Sequence, residues 1–591
     1  MTTAMTTPRR LFLLSALAAL LGLAGGVAAY VLIHLIALLT NLAFFHRVGW
    51  KLPSFTHLQR SPLIIVVAVT GALVVGLMAK WAPIIRGHGI PEAMEAVLTK
   101  QSRISPRTAL AKPLSAAIAI GTGGPFGAEG PIIVTGGAVG SLIGQILPVS
   151  PSERKILLAS GAAAGMAATF GAPLASVVLA IELLLFEFST RSLVPLVVAS
   201  SVAAGMHAAF FGSGPLFAVP QHNFAGLSQL PFYIPIGLAC GLLAVIINKG
   251  LFLIEGGFRR LPVSHLWWPA IGAVGFASVG LVVPRVLGVG YDQISQVLNV
   301  RLAVGTLAIL ALGKLMAWWM ALASGTSGGT LAPILLISGS VGALLGRLAE
   351  QVPGVHLSPG GVALVAMAAT FGAATRATFA SIVFLFELTR DYNAILPLML
   401  ATVLATLVAS TIMQESIMTE KLTRRGLRVP SDYHADILTT TPIQAVMTRD
   451  VKTVNISTSV GEVAKRFQAN GHGAFPVVND EGRCVGIIAR GDLLQNGKWN
   501  DDTPIGEAAT TDVVSVTSTA PLSDALEKML EEQIEHLPVI DGDRLVGICT
   551  RADVLLARTT QRANEQLETG WRRRRPRERR SDNGPSEDNP S

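Results

Sequence analysis

Charge is scarce in this sequence, and the scarcity is uneven. Only 14% of the 591 residues are Asp, Glu, Lys or Arg, where a soluble globular chain carries roughly a quarter. Residues 1–430 hold 27 Lys/Arg and 13 Asp/Glu, about 9% of that stretch; residues 431–591 hold 19 and 25, about 27%. The formal net charge of +8 is therefore +14 in the first part and −6 in the second. This excludes a single soluble domain and a mainly disordered chain. It describes a large membrane domain over 1–430 followed by a water-soluble module. The basic excess lies beside apolar segments and in a short tail, not on one soluble face, so nucleic acid is not an expected partner. Cysteine is scarcer still. Cys240, Cys484 and Cys549 lie far apart without CxxC spacing, which indicates neither a disulfide framework nor a cysteine metal site. The last two belong to the soluble part and fit a reducing cytoplasm.

What is abundant is apolar sequence. Arg9-Arg10 ahead of Leu-Phe-Leu resembles a twin-arginine export signal, but the apolar run continues from Leu11 to about Phe45. A signal's apolar region is only about 7–15 residues, so a first membrane helix is the reading taken, with His34 and Asn41 packed inside it. Apolar segments then recur through 394–413. Several approach the roughly 20 residues needed to span hydrocarbon, and many are nearer 12–15. Short apolar helices broken by Gly and Pro are expected where half-helices end inside the bilayer and aim their termini at a solute. Arg9 and Arg10 before the first segment, and Lys421, Arg424, Arg425 and Arg428 after the last, place both ends in the cytoplasm of a multi-pass protein of the plasma (inner) membrane.

The membrane part repeats itself. GTGGPFGAEGPIIVTGGAVGSLIG (121–144) aligns without gaps on ASGTSGGTLAPILLISGSVGALLG (323–346), and MAATFGA occurs at both 166–172 and 367–373. Two segments in the same order at nearly the same offset make two homologous halves, an architecture whose transport sites lie at the repeat interface near mid-membrane. The soluble part repeats as well. Residues 441–498 and 505–560 each read as a short helix, a β-rich run, an amphipathic helix, two strands and a final helix. Residues 561–591 form a basic tail that is disordered by composition. Its arginines between 572 and 580 are read as solvated, with anionic lipid heads as the alternative contact.

Intramembrane carboxylates are costly and default to function; Glu129, Glu182, Glu187 and Glu387 are the candidates. Glu129 lies in GAEGP, a glycine-rich turn opening a helix, where backbone N–H groups and the positive dipole end face an anion. Pro131 suits the first turn. Such a glutamate can occupy the anion position or leave it when protonated; equally, it can cap its own helix. GHGIPEAME (87–95) and SGTSGGTLAP (324–333) are two further turns of this kind. Three of them look like helix N-termini converging on an anion, and at these turns the sequence resembles the CLC family of chloride channels and chloride/proton exchangers. GHGIP resembles its GSGIP motif, GAEGP its GREGP motif and GGTLAP its GGxFxP motif. The resemblance covers about 1–425, and the tandem modules resemble the CBS pair of many members.

The resemblance implies a mostly α-helical multi-pass fold with an inverted two-fold repeat, a cytoplasmic α+β CBS pair, and a homodimer with one pathway per subunit. It implies transport of an inorganic anion, chloride by default, gated by Glu129. The anion-binding positions it implies are Gly87, His88, Gly89, Ile90, Pro91, Gly127, Gly130, Thr330, Leu331 and Met418. Three departures bear on mechanism. His88 replaces the family's serine, so an imidazole either donates to the anion or turns into packing. Met418 aligns with the inner pore tyrosine, which leaves a softer constriction. Leu183 stands where exchangers carry an inner proton glutamate, preceded by Glu182; Ala128 also replaces the arginine beside the gate. The absent inner glutamate favours passive or loosely coupled transport. Proton-coupled exchange by a non-standard route, and bicarbonate, nitrate or fluoride as substrate, stay open.

No enzyme activity, metal or required cofactor is expected. In the second CBS module GICTRAD (547–553) resembles the GIxTxxD pattern, and Thr550 and Asp553 would contact ATP or AMP. In the first module GIIARGD has Ala489 in place of the threonine, so one good site at most is implied; the alternative is a purely dimer-stabilising pair. Two other classes meet objections in the sequence. GTSG (325–328) matches a serine-nucleophile turn, but the later membrane histidine, His356, lies in a Pro/Gly-bounded loop. A divalent-cation path would want clustered carboxylates, which the membrane part lacks.

Overall fold

A computed structural model describes residues 8–219, 224, 226–427, 438, 441–470, 472–494 and 499–557. The tail expected over 561–591, Arg428, and the last residues of both expected modules lie outside the described residues. The chain divides into two units, with the boundary between Tyr433 and His434.

The membrane unit is built from helices whose ends follow the apolar segments closely. Its first half runs α1 (Pro8–Phe45), α2 (Leu63–Trp81), α3 (Ile90–Thr99), α4 (Pro106–Gly121), α5 (Glu129–Ile146), α6 (Pro151–Phe170), α7 (Pro173–Ala180) and α8 (Thr190–Phe211). Its second half runs α9 (Tyr233–Arg259), α10 (Trp268–Val282), α11 (Tyr291–Leu298), α12 (Val304–Ala323), α13 (Leu331–Ala349), α14 (Pro359–Thr375), α15 (Thr378–Thr389) and α16 (Ile395–Ile412), before a short α17 (Glu420–Thr423). Seven of the described helical stretches are long and apolar enough to cross a membrane. Local chemistry sets the ends. At α6 the Ser150 hydroxyl accepts from the Glu153 N–H (3.2 Å) while Glu153 Oε2 accepts from the Ser150 N–H (2.8 Å), a capping box with Pro151 at the first helical position. Arg10 of α1 then donates to Glu153 Oε1 at 2.7 Å.

The repeat is visible as structure. Small residues let α5 and α6 approach until Gly136 touches the Gly161 backbone, and Gly342 of α13 meets Ala363 and Ala366 of α14 in the same way. Lys112 of α4 is buried and donates to the carbonyls of Ile85 and Gly87 (2.8 Å each); Lys314 of α12 is buried and donates to those of Val286 (2.9 Å) and Gly288 (2.8 Å). The relation between the halves is fixed at α7 and α15. Glu182, in the wide turn Ile181–Leu185 after α7, accepts from the N–H groups of Phe379 (3.1 Å) and Ala380 (3.0 Å) at the start of α15. Glu387, near the end of α15, accepts from Leu174 (3.1 Å) and Ala175 (2.7 Å) at the start of α7. Each helix end meets the other's beginning, so the two run antiparallel about a local two-fold axis lying across them. The halves are inverted.

The soluble unit has two α+β modules. The first pairs β1 (Val454–Asn455) parallel to β2 (Ala474–Val478) and β2 antiparallel to β3 (Cys484–Ala489), around α18 (Val460–Asn470) and α19 (Arg490–Leu494). The short α20 (Ile505–Ala508) packs on the core of the first module, and the second has α21 (Leu522–Glu531), the antiparallel pair β4 (His536–Asp541) and β5 (Arg544–Thr550), and a helical stretch over 551–557. The β-rich run expected before α21 reduces to two isolated bridges, Thr510 to Ile487 and Val516 to Val539. Ser518 next to the second is instead held by the Asp541 side chain.

Candidate functional site

The three glycine-rich turns come together. Gly87 forms a parallel bridge with Ser327, and Gly127 forms an antiparallel bridge with Gly329, in which the Gly329 N–H donates to the Gly127 carbonyl at 2.9 Å. The turns opening α3, α5 and α13 are thereby stitched to one another, and their first-turn amides, which have no helical acceptor by position, share one buried locus. Gly87 and Gly89 have φ of 83° and 95°, a region only glycine enters freely, so His88 is presented between two left-handed hinges. Ile90, Pro91, Thr330, Leu331 and Met418 are all buried here.

Glu129 opens α5 and is 1% exposed. Its carboxylate reaches across to a second helix. Oε1 accepts from the Ala332 N–H at 2.7 Å, in the first turn of α13, and Oε2 is buried without a partner. A carboxylate thus sits where a second helix offers its donors to an anion. Gly127 gives it room, since a methyl group there would overlap both carboxyl oxygens. The other carboxylates separate from this locus. Glu182 and Glu387 cap α15 and α7, and Glu187 lies 3.6 Å from Lys155. Leu183 is buried and apolar.

His88 is 1% exposed, and its ring approaches the Ile417 backbone with neither nitrogen in a hydrogen bond of good geometry. Two groups nearby were missed in sequence. Lys112 underpins the turn through the Gly87 carbonyl, and the Lys421 ammonium comes alongside Gly87. A fourth turn was missed too. Gly288-Val289-Gly290-Tyr291 opens α11 as Gly87-His88-Gly89-Ile90 opens α3, and a cavity of about 190 Å³ lies against it. The signal was present, because Lys112 and Lys314 occupy corresponding places in the repeat, but no proline follows the second pair of glycines. Ser327 of GTSG is buried and accepts from the Ser115 hydroxyl at 3.1 Å, a packed hydroxyl with no histidine hydrogen-bonded to it among the described residues.

In the soluble unit Thr550 and Asp553 form a closed turn. Asp553 Oδ2 accepts from both the Thr550 N–H (2.8 Å) and the Thr550 hydroxyl (2.7 Å). Asp492 holds the Ala489 N–H at 2.8 Å in the corresponding place of the first module, with no hydroxyl there. Burial pushes the Cys549 thiol up to about 12.

The family model described as "Voltage gated chloride channel" matches residues 70–410, and "CBS domain" matches 443–497 and 505–559. A "Putative chloride channel protein ClcB-like" from Ralstonia nicotianae is 30% identical over 378 residues, which is 62% of this chain and 87% of that protein. An "H(+)/Cl(-) exchange transporter ClcA" from Vibrio campbellii is 30% identical over 370 residues, 61% of this chain and 79% of the other. The solved structure of a slow cyanobacterial Cl-/H+ antiporter superposes with TM-score 0.60 at 24% identity, over 71% of this chain and 98% of that one; at that identity the likeness establishes the fold.

Proposed function

The chain belongs to the voltage gated chloride channel family of membrane anion transporters, and on that footing we propose that it carries small inorganic anions, chloride first, past Glu129 with at most loose proton coupling. The observation that carries this reading is the Glu129 carboxylate on the Ala332 N–H at 2.7 Å. While ionised it occupies donors that an anion would use; once neutral it loses most of that preference, leaves, and the anion takes its place. The stitched turns around Gly87, Gly127 and Gly329 supply the remaining backbone donors. Loose coupling is supported by Leu183, buried and apolar, and by Glu182, whose two oxygens are committed to α15. The naming of the Vibrio relative as an exchanger supports tighter coupling as the second reading.

The protein acts as a homodimer in the inner membrane with both termini in the cytoplasm, and each subunit holds one pathway. The Thr550–Asp553 turn takes the ribose and phosphate of an adenine nucleotide, which regulates rather than drives transport. The deciding experiment reconstitutes the full chain in liposomes and records chloride and proton movement together. Glu129→Gln is expected to abolish the pH dependence of chloride flux; a pH profile identical to the unmutated protein defeats the gate. Protons moving in fixed ratio to chloride defeat the loose-coupling assignment.

A further inference from the structure

A cavity of about 390 Å³ in the membrane unit shares no residue with the anion turns. It lies between the start of α7, the end of α8 and the end of α15, and its volume is within the range of small-molecule sites, about 300–1,000 Å³. The helices around it fix its depth. Arg10 at the start of α1 and Arg191 at the start of α8 both pair with Glu153 at the start of α6, at 2.7 and 3.7 Å, so these three helices begin at one membrane face. The 22 residues of α8 carry the chain roughly 33 Å, about one hydrocarbon thickness, to the cavity near the other face. Aromatic rings mark the same level. Phe211 packs on His207 in the cavity wall (5.2 Å between centroids) and on Tyr30 (6.0 Å), and Trp50 stands 6.4 Å from His34. Such rings gather where hydrocarbon meets headgroups.

Three side chains give the cavity its chemistry. His207 is 7% exposed, and its Nδ1 lies 2.8 Å from the Ala168 carbonyl. A carbonyl only accepts, so the proton is on Nδ1 and Nε2 carries a lone pair. No group among the described residues donates to that lone pair, and His207 lines the cavity; an enclosed acceptor of this kind is normally met by a partner. Glu387, also in the wall, takes one N–H on each oxygen, from Leu174 and Ala175, which leaves each oxygen a further lone pair. Arg390 completes the wall as an exposed guanidinium with no ion pair among the described residues. A metal ion does not suit this set, since it wants three or four ligands and no third His, Cys, Asp or Glu joins the two among the described residues. Enclosed acceptors with a cation at the exposed edge suit a ligand that is ammonium at one end and phosphate at the other.

We propose that this cavity holds the headgroup of a phospholipid bearing a primary ammonium, with the ammonium on His207 Nε2 and the Glu387 carboxylate and the phosphate on Arg390. The headgroup level of the site, and Leu174 in its wall, apolar and 60% exposed, assign it to a lipid over a soluble zwitterion of the same chemistry. Selectivity follows from hydrogen count. A primary ammonium donates to Nε2 and to the carboxylate, whereas a trimethylammonium has no N–H to give. The bound headgroup ties the end of α8 to the antiparallel pair α7 and α15.

The test uses the full chain in vesicles of equal parts dioleoyl phosphatidylethanolamine and dioleoyl phosphatidylcholine. The protein is extracted in mild detergent, and the lipids it retains are quantified by mass spectrometry. The unmutated protein is expected to favour the ethanolamine lipid about fivefold, the worth of one hydrogen bond. His207→Phe keeps a ring and loses the lone pair, and its retained ratio should fall to that of the vesicles. Arg390→Ala, at an exposed position, should lower retention of both lipids about tenfold, as loss of a charged hydrogen bond does; it answers if the His207 variant fails to fold. Equal retention of the two lipids by the unmutated protein overturns the proposal, as does unchanged retention in both variants. Phosphoethanolamine that raises the melting temperature of delipidated protein as much as the lipid does overturns the assignment to a lipid. Subunit association weakened by Arg390→Ala with lipid retention unchanged gives the cavity to a second copy of the chain, and overturns it likewise.

Discussion

The space around the Glu129 carboxylate is defined on one side by Gly127, and filling it is a direct way to disturb the gate. A methyl group at Gly127 would overlap both carboxyl oxygens. Gly127 is not among the positive-φ glycines, so alanine can adopt the native backbone without strain, and the side chain of Glu129 has to move. The interaction lost is the charge-assisted bond from the Ala332 N–H at 2.7 Å, worth about 1.5–3 kcal/mol. At about 1.4 kcal/mol per tenfold, closed-state occupancy falls roughly ten- to a hundredfold. Gly127→Ala should therefore raise chloride efflux from liposomes at pH 7.5 toward its acid-pH value and flatten the pH profile. The methyl could instead obstruct the anion. The double variant Gly127→Ala, Glu129→Ala separates the two, because obstruction lowers its flux below that of Glu129→Ala alone. A Gly127→Ala protein with unmutated flux and an unmutated pH profile would refute the assignment of this carboxylate to the closed state.

Other expectations follow from single contacts. Glu182→Ala and Glu387→Ala each strip two backbone donors of their acceptor and should each cost about 1–2 kcal/mol, read as similar drops in the melting temperature of detergent-solubilised protein; no drop from either removes them as caps. Thr550→Ala deletes the hydroxyl of the closed turn and should weaken ATP or AMP binding to the full chain about fivefold by calorimetry, the worth of one hydrogen bond; equal affinity places the nucleotide elsewhere. The Ser518 hydroxyl and N–H hold the Asp541 carboxyl below its ordinary range. A depressed folded-state value means the stabilisation is complete above the ordinary carboxylate range and is lost as pH falls through and below it. Asp541→Asn should therefore flatten the acid limb of the soluble unit's unfolding curve, followed by circular dichroism, and leave the neutral side nearly level; an unchanged acid limb would contradict the contact.

Much of the membrane unit was legible because its helices are apolar and its turns are punctuated by Gly and Pro. The MAATFGA pair placed α6 and α14 in corresponding positions, and the aligned turns placed α5 and α13. Inversion was not legible in the repeat itself, because sequence similarity has no direction in space; the family resemblance implied it, and in the structure it appears in the exchange of Glu182 and Glu387 between helix starts. The short helix α11 escaped notice since its eight residues carry Asp292 and Gln293 in an amphipathic pattern, with no apolar run to mark it. Glu129 was found as a gate candidate from its turn, whereas its partner on α13 was not, because a cross-helix bond spanning 203 residues leaves no local mark. Lys112 and Lys314 looked like ordinary charges in apolar segments. Their burial makes sense only once the carbonyls of the preceding turns are brought beneath them.

The exchange of caps between α7 and α15 also sets a schedule. The Ala175 N–H meets its acceptor on a residue 212 positions later in the chain. At about 5–20 residues per second of synthesis, roughly 10–40 s separate the appearance of the donor from that of Glu387. Through that interval the start of α7 has no partner of its own making and must rely on water, lipid headgroups or the insertion machinery. The first half of this protein, though it repeats the second, is therefore not a finished object that waits for a copy. It is held open until the chain has been made almost twice over, and a ribosome stalled between the halves leaves a membrane intermediate with its future axis exposed.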